Sequence, residues 1–323
     1  MHFPRDHGSH PEFRIEWWYI TGWLHAKDQD DCGFQVTFFR VRPRVPADNP
    51  SRFNPEHIII AHAALADRQL GKLRHLQRAA RQGFGLAGSD TGNTRVWVDR
   101  WQLLRDGQQY RCRISERDMA LNLVLDTLQP PLLQGVAGYS RKGPQGGSAS
   151  HYYSLPHLRV SGEIRIDRTA RTVAGEAWLD HEWSSSLLET DAEGWDWFGI
   201  NLADGGALMA FRMRNRRGGT LWAGGSWRDA GGAVSNFKPD DIRFIPLRHW
   251  QSPLTGAKYP VSFEVLAGPF RVRLEPLMDD QENDTRATTG AVYWEGAVRA
   301  RSSGHEIGRG YLELTGYLRP LQI

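Results

Sequence analysis

The sequence predicts an all-β protein: two tandem antiparallel β-barrels with very little helix. Three observations carry this. The hydrophobic period is two along most of the chain, the apolar runs are short and separated by turn residues, and one stretch recurs in altered form about halfway through. Many strands at short spacing form barrels or sandwiches.

The elements follow in order. IEWWYITGWLHA, GFQVTFFRVRP and HIIIAHAALAD read as strands, rich in β-branched and aromatic residues. TRVWVDRWQLLRD, QYRCRISE, MALNLVLDT, HLRVSGEIRID and RTVAGEAWLDHEW continue the pattern in the first half. The second half adds DWFGINLADGGALMAFRMRN, LWAGGSWRD, DIRFIPLRHW, YPVSFEVLA, FRVRLEPLM, YWEGAVRAR and GRGYLELTGYL. Gly, Asp and Asn between runs, as in NLADGGAL, mark hairpin turns. Only LRHLQRAARQ, Leu73 to Gln82, reads as a helix. SRKGPQGGSAS, Ser140 to Ser150, reads as a flexible connection, with a lid over a cavity as the alternative.

The repeat pairs EWWYITGWLHAKDQDDCGFQVTFFRVR with WDWFGINLADGGALMAFRMR. It matches Trp18, Tyr19, Phe39, Arg40 and Arg42 to Trp197, Phe198, Phe211, Arg212 and Arg214, with a shorter loop in the second copy. Two similar barrels in tandem follow, with domains at 1–186 and 187–323. At 323 residues, the length also fits two domains.

Composition narrows the function. Hydrophobic residues at 40% and charged residues at 24% describe an ordinary folded protein with a sizeable core. The net charge of +3 is small and the arginines are scattered, so no nucleic-acid partner is expected. No apolar run is long enough for a membrane-spanning helix. The start, MHFPRDHGSH, is polar and shows no signal peptide, which a longer precursor could have carried. Cys32 and Cys112 could pair in an oxidising compartment, but two cysteines do not decide it. The unusual number is 13 tryptophans, since a buried indole brings large area and an N–H that needs a partner.

Acids repeatedly touch these indoles. Glu16 precedes Trp17 and Trp18; Asp180, His181 and Glu182 lead into Trp183; Asp196 lies between Trp195 and Trp197; Glu295 follows Trp294. HYYS adds Tyr152 and Tyr153. A carboxylic acid in a dry aromatic pocket has its pKa raised and can protonate a weak base near neutral pH. Aromatic faces stabilise a cation. Together these are the parts for adding a proton, then water, across a carbon–carbon double bond, or for steering a cyclisation. Each acid also has a structural reading: strand-end acids accept hydrogen bonds from Trp N–H or Arg and do no chemistry. On one strand, Asp180 and Glu182 point to one face, and His181 and Trp183 to the other. Asp180 and His181 therefore need not meet the same ligand.

Other chemistries fit less well. Asp6, His7 and His10 in DHGSH offer metal-ligand types, but no HExxH or CxxC is present, and no metal is expected. Ser184 to Ser186 follow His181 without a G-x-S-x-G elbow, and no phosphate-cradling loop opens a helix.

DHGSHPEFRIEWWYITGWL, SHYYSLPHLRVSGEI, GEAWLDHEWSSS, GWDWFG, DQEN, YWEGAV and GYLELTGY together resemble the AttH/carotenoid 1,2-hydratase family across nearly the whole chain. Members of this family are often labelled "predicted secreted hydrolase" or "lipocalin-like". The resemblance implies two tandem lipocalin-like barrels, no obligatory cofactor and, for the carotenoid hydratases, acid-catalysed hydration (a lyase reaction) of a terminal isoprenoid double bond. Related proteins are associated with pericyclic cyclisation. The His-x-Trp element of the hydratases falls on His181 and Trp183. Their Tyr-x-Asp pair has no counterpart, because the following strand reads LMAFRMR.

The expectation is a barrel protein that binds an apolar isoprenoid- or polyketide-like molecule and hydrates or isomerises it without a cofactor. Asp180, His181, Glu182 and Asp196 are the catalytic candidates. Trp183, Trp195, Trp197, Tyr152, Tyr153, Glu16, Trp18, Trp294 and Glu295 are the substrate-binding ones. A periplasmic or secreted location with peripheral envelope association is expected. A non-catalytic lipid carrier of the envelope is the rival, and an acid facing the cavity without an Arg or Trp N–H partner separates the two.

Overall fold

A computed structural model describes residues 1–27, 30–43 and 54–321. It is all-β, with two short 3-10 turns at Arg5–His7 and Pro239–Asp241 and no α-helix among the described residues. The first sheet holds β1 (Ile15–His25), β2 (Cys32–Val41), β3 (Ile58–Asp67), β4 (Leu73–Arg81), β5 (Ala87–Ser89), β6 (Arg95–Val98) and β7 (Trp101–Asp106). It continues with β8 (Gln109–Ser115), β9 (Met119–Asp126), β10 (Leu132–Leu133), β11 (Tyr139–Arg141), β12 (Ala149–Ile166) and β13 (Thr169–Ser186). The second holds β14 (Ala192–Leu202), β15 (Ala207–Asn215), β16 (Thr220–Arg228), β17 (Val234–Phe237) and β18 (Ile242–Gln251). It ends with β19 (Lys258–Ala267), β20 (Phe270–Pro276), β21 (Glu282–Thr285), β22 (Ala291–Ser302) and β23 (His305–Leu314).

The first sheet runs β4-β3-β2-β1-β13-β12-β9-β8-β7-β6-β5, with β10 and β11 also on β12. It curls until β3 and β4 meet β5 and β6, which nearly closes a barrel. The second runs β17-β16-β15-β14-β23-β22-β20-β19-β18 with β21 on β22, and β16 comes round to β18. The described strands pair antiparallel, and alternate residues of each strand face opposite sides. One set fills each barrel: Trp18, Phe34, Phe38 and Leu179 in the first, Phe198, Phe263, Trp294 and Leu312 in the second. The other set meets between the barrels, where Tyr19, Trp23, Trp178, Trp197 and Tyr311 pack.

The repeat is real but shifted by one residue at its start. Glu16 sits opposite Arg40, and Asp196 opposite Arg212, each pair inside its own barrel. Trp17 therefore corresponds to Trp197 and Trp18 to Phe198. Matching Trp18 to Trp197 equates a barrel-core side chain with one that faces out, which a period of two forbids. The Phe39, Arg40 and Arg42 matches keep their phase.

The helix expected at Leu73–Gln82 is instead β4. Its polar residues sit half-buried on both faces, and it pairs with β3 from Ile58↔Arg81 to Ala66↔Leu73. That ladder outweighs the helical propensity of its Leu, Arg and Gln. Within Ser140–Ser150, β11 and the start of β12 leave only a short turn. The turn is held by Lys142 N donating to Ser148 O at 2.8 Å and Gln145 N donating to Glu189 Oε1 at 2.9 Å. Cys32 and Cys112 are both free in the first barrel's core, where burial pushes each thiol up to about 12.

Candidate functional site

The outward faces of the two barrels form a cleft-like cavity of about 370 Å³. Its walls follow the two-residue period. Ile15, Trp17 and Tyr19 come from β1, Asp180 and Glu182 from β13, and Trp195 and Trp197 from β14. Phe211 and Met213 come from β15, Tyr293 and Glu295 from β22, and Glu313 from β23. The lining is mainly apolar and aromatic, with a few convergent polar groups, which is the usual character of a small-molecule site.

Asp180 is one such group. Tyr152 Oη donates to its Oδ2 at 2.7 Å. Ser154 Oγ and Trp178 Nε1 donate to Oδ1 at 2.6 and 2.7 Å. Tyr152 and Ser154 face it because β12 and β13 pair Tyr152↔Glu182 and Ser154↔Asp180. Burial pushes the acid up to about 7, and the three donors oppose the shift without cancelling it. Trp197 Nε1 donates to Tyr152 Oη at 3.1 Å, so both barrels hold this network. Beside it, Lys142 Nζ lies 2.9 Å from Glu182 Oε1 and over the rings of Phe211 and Tyr152.

The opposite wall carries two more acids. Glu295 and Glu313 are direct cross-strand partners on β22 and β23 and share the cavity face. Like charges so placed repel. Burial, then the neighbouring Glu313 charge, raises Glu295 well above the usual carboxylate range. Burial raises Glu313 too, while Trp195 Nε1, donating to Glu313 Oε2 at 2.9 Å, pulls the other way. Burial and mutual repulsion therefore both favour a proton shared on the pair, as in carboxyl dyads. Among the described residues Glu295 has neither an Arg nor a Trp N–H partner, and its Oε1 is buried without one. Tyr19 Oη lies beside the Glu295 carboxyl, and after burial that carboxyl's charge is the largest cause that raises the phenol. Tyr19 also meets Trp197 edge-on, with ring centroids 5.4 Å apart.

The remaining candidates lie elsewhere. His181 and Trp183 face the interior of the first barrel, with Trp18, Tyr153 and Glu16. Glu16 Oε1 lies 2.8 Å from His10 Nδ1 and 2.9 Å from His181 Nε2, and Arg40 Nε donates to Oε2 at 2.8 Å. Burial favours the neutral acid, but the hydrogen bonds from His10 and His181 and the Arg40 charge hold Glu16 far below the usual range. His181 stacks on Trp18 at 4.7 Å, and Trp183 on His10 at 3.7 Å. Tyr153 Oη lies 2.9 Å from His7 Nδ1 and 3.2 Å from His181 Nδ1. His10, Glu16 and His181 are close enough to offer a metal three ligands. However, both ring nitrogens already point at one carboxylate oxygen, and Arg40 supplies the compensating cation. Without an ion, the donor set is satisfied as an ion network.

Asp196 faces the second barrel's interior, bound by Arg212 Nε at 2.6 Å, Arg214 Nε at 3.0 Å and Tyr317 Oη at 2.9 Å. Both of its oxygens are thus taken up by two guanidinium groups and a phenol inside the barrel, away from the cavity. Trp294 is in that core too, its Nε1 donating to Asp279 O at 2.7 Å. Of the candidates, the cavity thus gathers Asp180, Glu182, Tyr152, Trp195, Trp197 and Glu295. Sequence reasoning missed Tyr19, Lys142, Tyr293 and Glu313. Tyr19 was reachable by parity, since it alternates with Trp17. Glu313 was not, because only the β22–β23 register sets it opposite Glu295.

Fold and cavity define a double-barrel, lipocalin-like protein with its pocket between the barrels. Residues 1–317 match the AttH-like family model, and the chain belongs to that family. A Nitrosomonas europaea protein whose crystal structure is described as an AttH is 50% identical, with TM-score 0.93, covering 99% of this chain and 97% of that one. Kievitone hydratase from Nectria haematococca is 13% identical with TM-score 0.73, covering 98% of this chain and 93% of that one. CghA is 16% identical with TM-score 0.55, covering 93% and 88%. At those identities, these last two similarities speak to the fold alone. None of the curated proteins matches the chain.

Proposed function

We propose that the inter-barrel cavity binds an apolar, isoprenoid- or polyketide-like molecule and adds water across one of its double bonds by acid catalysis. The observation that carries this reading is Glu295, a buried acid facing an aromatic cavity, where burial and the neighbouring Glu313 both favour its protonated form. Glu295 gives its proton to one alkene carbon, and the electron pair of the double bond forms the new C–H bond. The adjacent carbon becomes cationic against the faces of Tyr19 and Trp197. Water attacks that carbon, and Asp180 across the cavity takes the water's proton. The net change is one water added, and the proton now on Asp180 returns to Glu295 through solvent. Kievitone hydratase, which shares the fold, is by its name a hydratase, in keeping with this chemistry.

The test is incubation with alkene-bearing isoprenoids in water labelled with heavy oxygen, followed by mass spectrometry. A product heavier by one labelled water supports hydration. A ligand that co-purifies from the native host's lysate but never changes mass marks a carrier instead. The Asp180→Asn variant is expected to fold, because an amide oxygen still accepts from Ser154 and Trp178, yet to lose about a hundredfold or more in turnover. If it unfolds, Asp180 is structural. Rate against pH is expected to be bell-shaped: rising through about 7 as Asp180 ionises, and falling as the Glu295–Glu313 pair loses its proton.

A further inference from the structure

The turn after β4 turns apolar side chains toward water. Gly83, Phe84 and Gly85 all have positive φ, at 123°, 56° and 74°. Gly adopts this region freely, whereas a bulky residue pays a steric penalty there. Nevertheless Phe84 sits there 79% exposed, and Leu86 is 55% exposed. Among the described non-glycine residues with positive φ, which also include Asp99, Ala137, His157, Asp167 and Ser303, Phe84 alone is a large apolar side chain. Trp97 braces the turn from below, its Nε1 donating to Gly85 O at 3.2 Å. Arg81 lies over the Phe84 ring at 5.1 Å, and Arg95, which also pairs with Asp90 Oδ2 at 3.3 Å, lies over Trp97 at 4.9 Å. Apolar tips, an indole at their base and guanidinium groups level with the rings make a pattern suited to a membrane interface.

The turn's position matters as much as its chemistry. Arg81, the last residue of β4, pairs with Ile58, which lines the cavity, and Gln82 N donates to His57 O at 2.8 Å. Phe84 and Leu86 therefore project from the strand end that bounds the cavity on this side. We infer that the Phe84–Leu86 turn docks the protein on a bilayer surface bearing anionic lipids: Phe84 and Leu86 enter the acyl boundary while Arg81 and Arg95 meet the headgroups. An apolar ligand partitions into such a bilayer, so docking there places the cavity beside the ligand's reservoir.

The experiment is sedimentation with vesicles of phosphatidylcholine alone or mixed with phosphatidylglycerol. It needs no ligand or turnover, so its outcome is separable from that of the hydration assay. The wild type is expected to bind the mixed vesicles, less so at high salt. Phe84→Ser with Leu86→Ser is expected to lower that binding at least about tenfold. Phe84→Gly gives a second readout. It relieves a left-handed phenylalanine, so Tm holds or rises while vesicle binding falls. Equal binding of wild type and these variants, or no binding to anionic vesicles by the wild type, overturns the inference.

Discussion

Glu295→Gln is expected to abolish turnover while leaving a folded protein that still binds its ligand. The glutamine keeps the shape but has no proton to donate, and loss of a general acid lowers rate by about a hundred- to ten-thousandfold. Stability should move the other way. Glu295 is held protonated in the fold, well above its ordinary 4.5, so the folded chain carries a proton that the unfolded chain releases. Such a group stabilises the fold fully below the unfolded value, and that contribution is lost as pH rises toward the folded one. The variant removes this dependence. Its urea midpoint should fall less than the wild type's as pH is raised above about 4.5. A variant that retains turnover would move the acid role to another residue.

The second large effect belongs to Arg40. Arg40→Met leaves the Glu16 carboxylate fully buried with only His10 and His181 beside it. Breaking a buried ion pair from one side destabilises by about 3–5 kcal/mol. Urea unfolding should show a loss of that size, and adding Glu16→Gln should recover much of it, because no uncompensated charge remains. If the double variant is no better than the single, the damage is lost packing around Arg40 and not an orphaned carboxylate.

These two residues show what the sequence discloses and what it withholds. The barrels were legible because alternation is a local property, and the parity of D-H-E-W correctly set Asp180 and Glu182 apart from His181 and Trp183. The Leu73–Gln82 stretch misled because its pairing partner, not its own propensity, decides its form. The resemblance pointed to His181 and Trp183, but the structure buries both in the ion network around Glu16. The cavity itself was illegible. It belongs to neither repeat alone, and the opposition of Glu295 and Glu313 depends on strand register, which no short motif records.

The placement of the cavity between the barrels has a mechanical consequence. Tyr19 and Asp180 belong to one sheet, and Trp197 and Glu295 to the other, so any occupant bridges both. A ligand that binds only the docked arrangement strengthens docking in proportion to the logarithm of its concentration over its Kd. The occupant thus acts as a clasp. A saturated protein should resist proteolysis in the connection between β13 and β14, residues 187–191, better than an empty one.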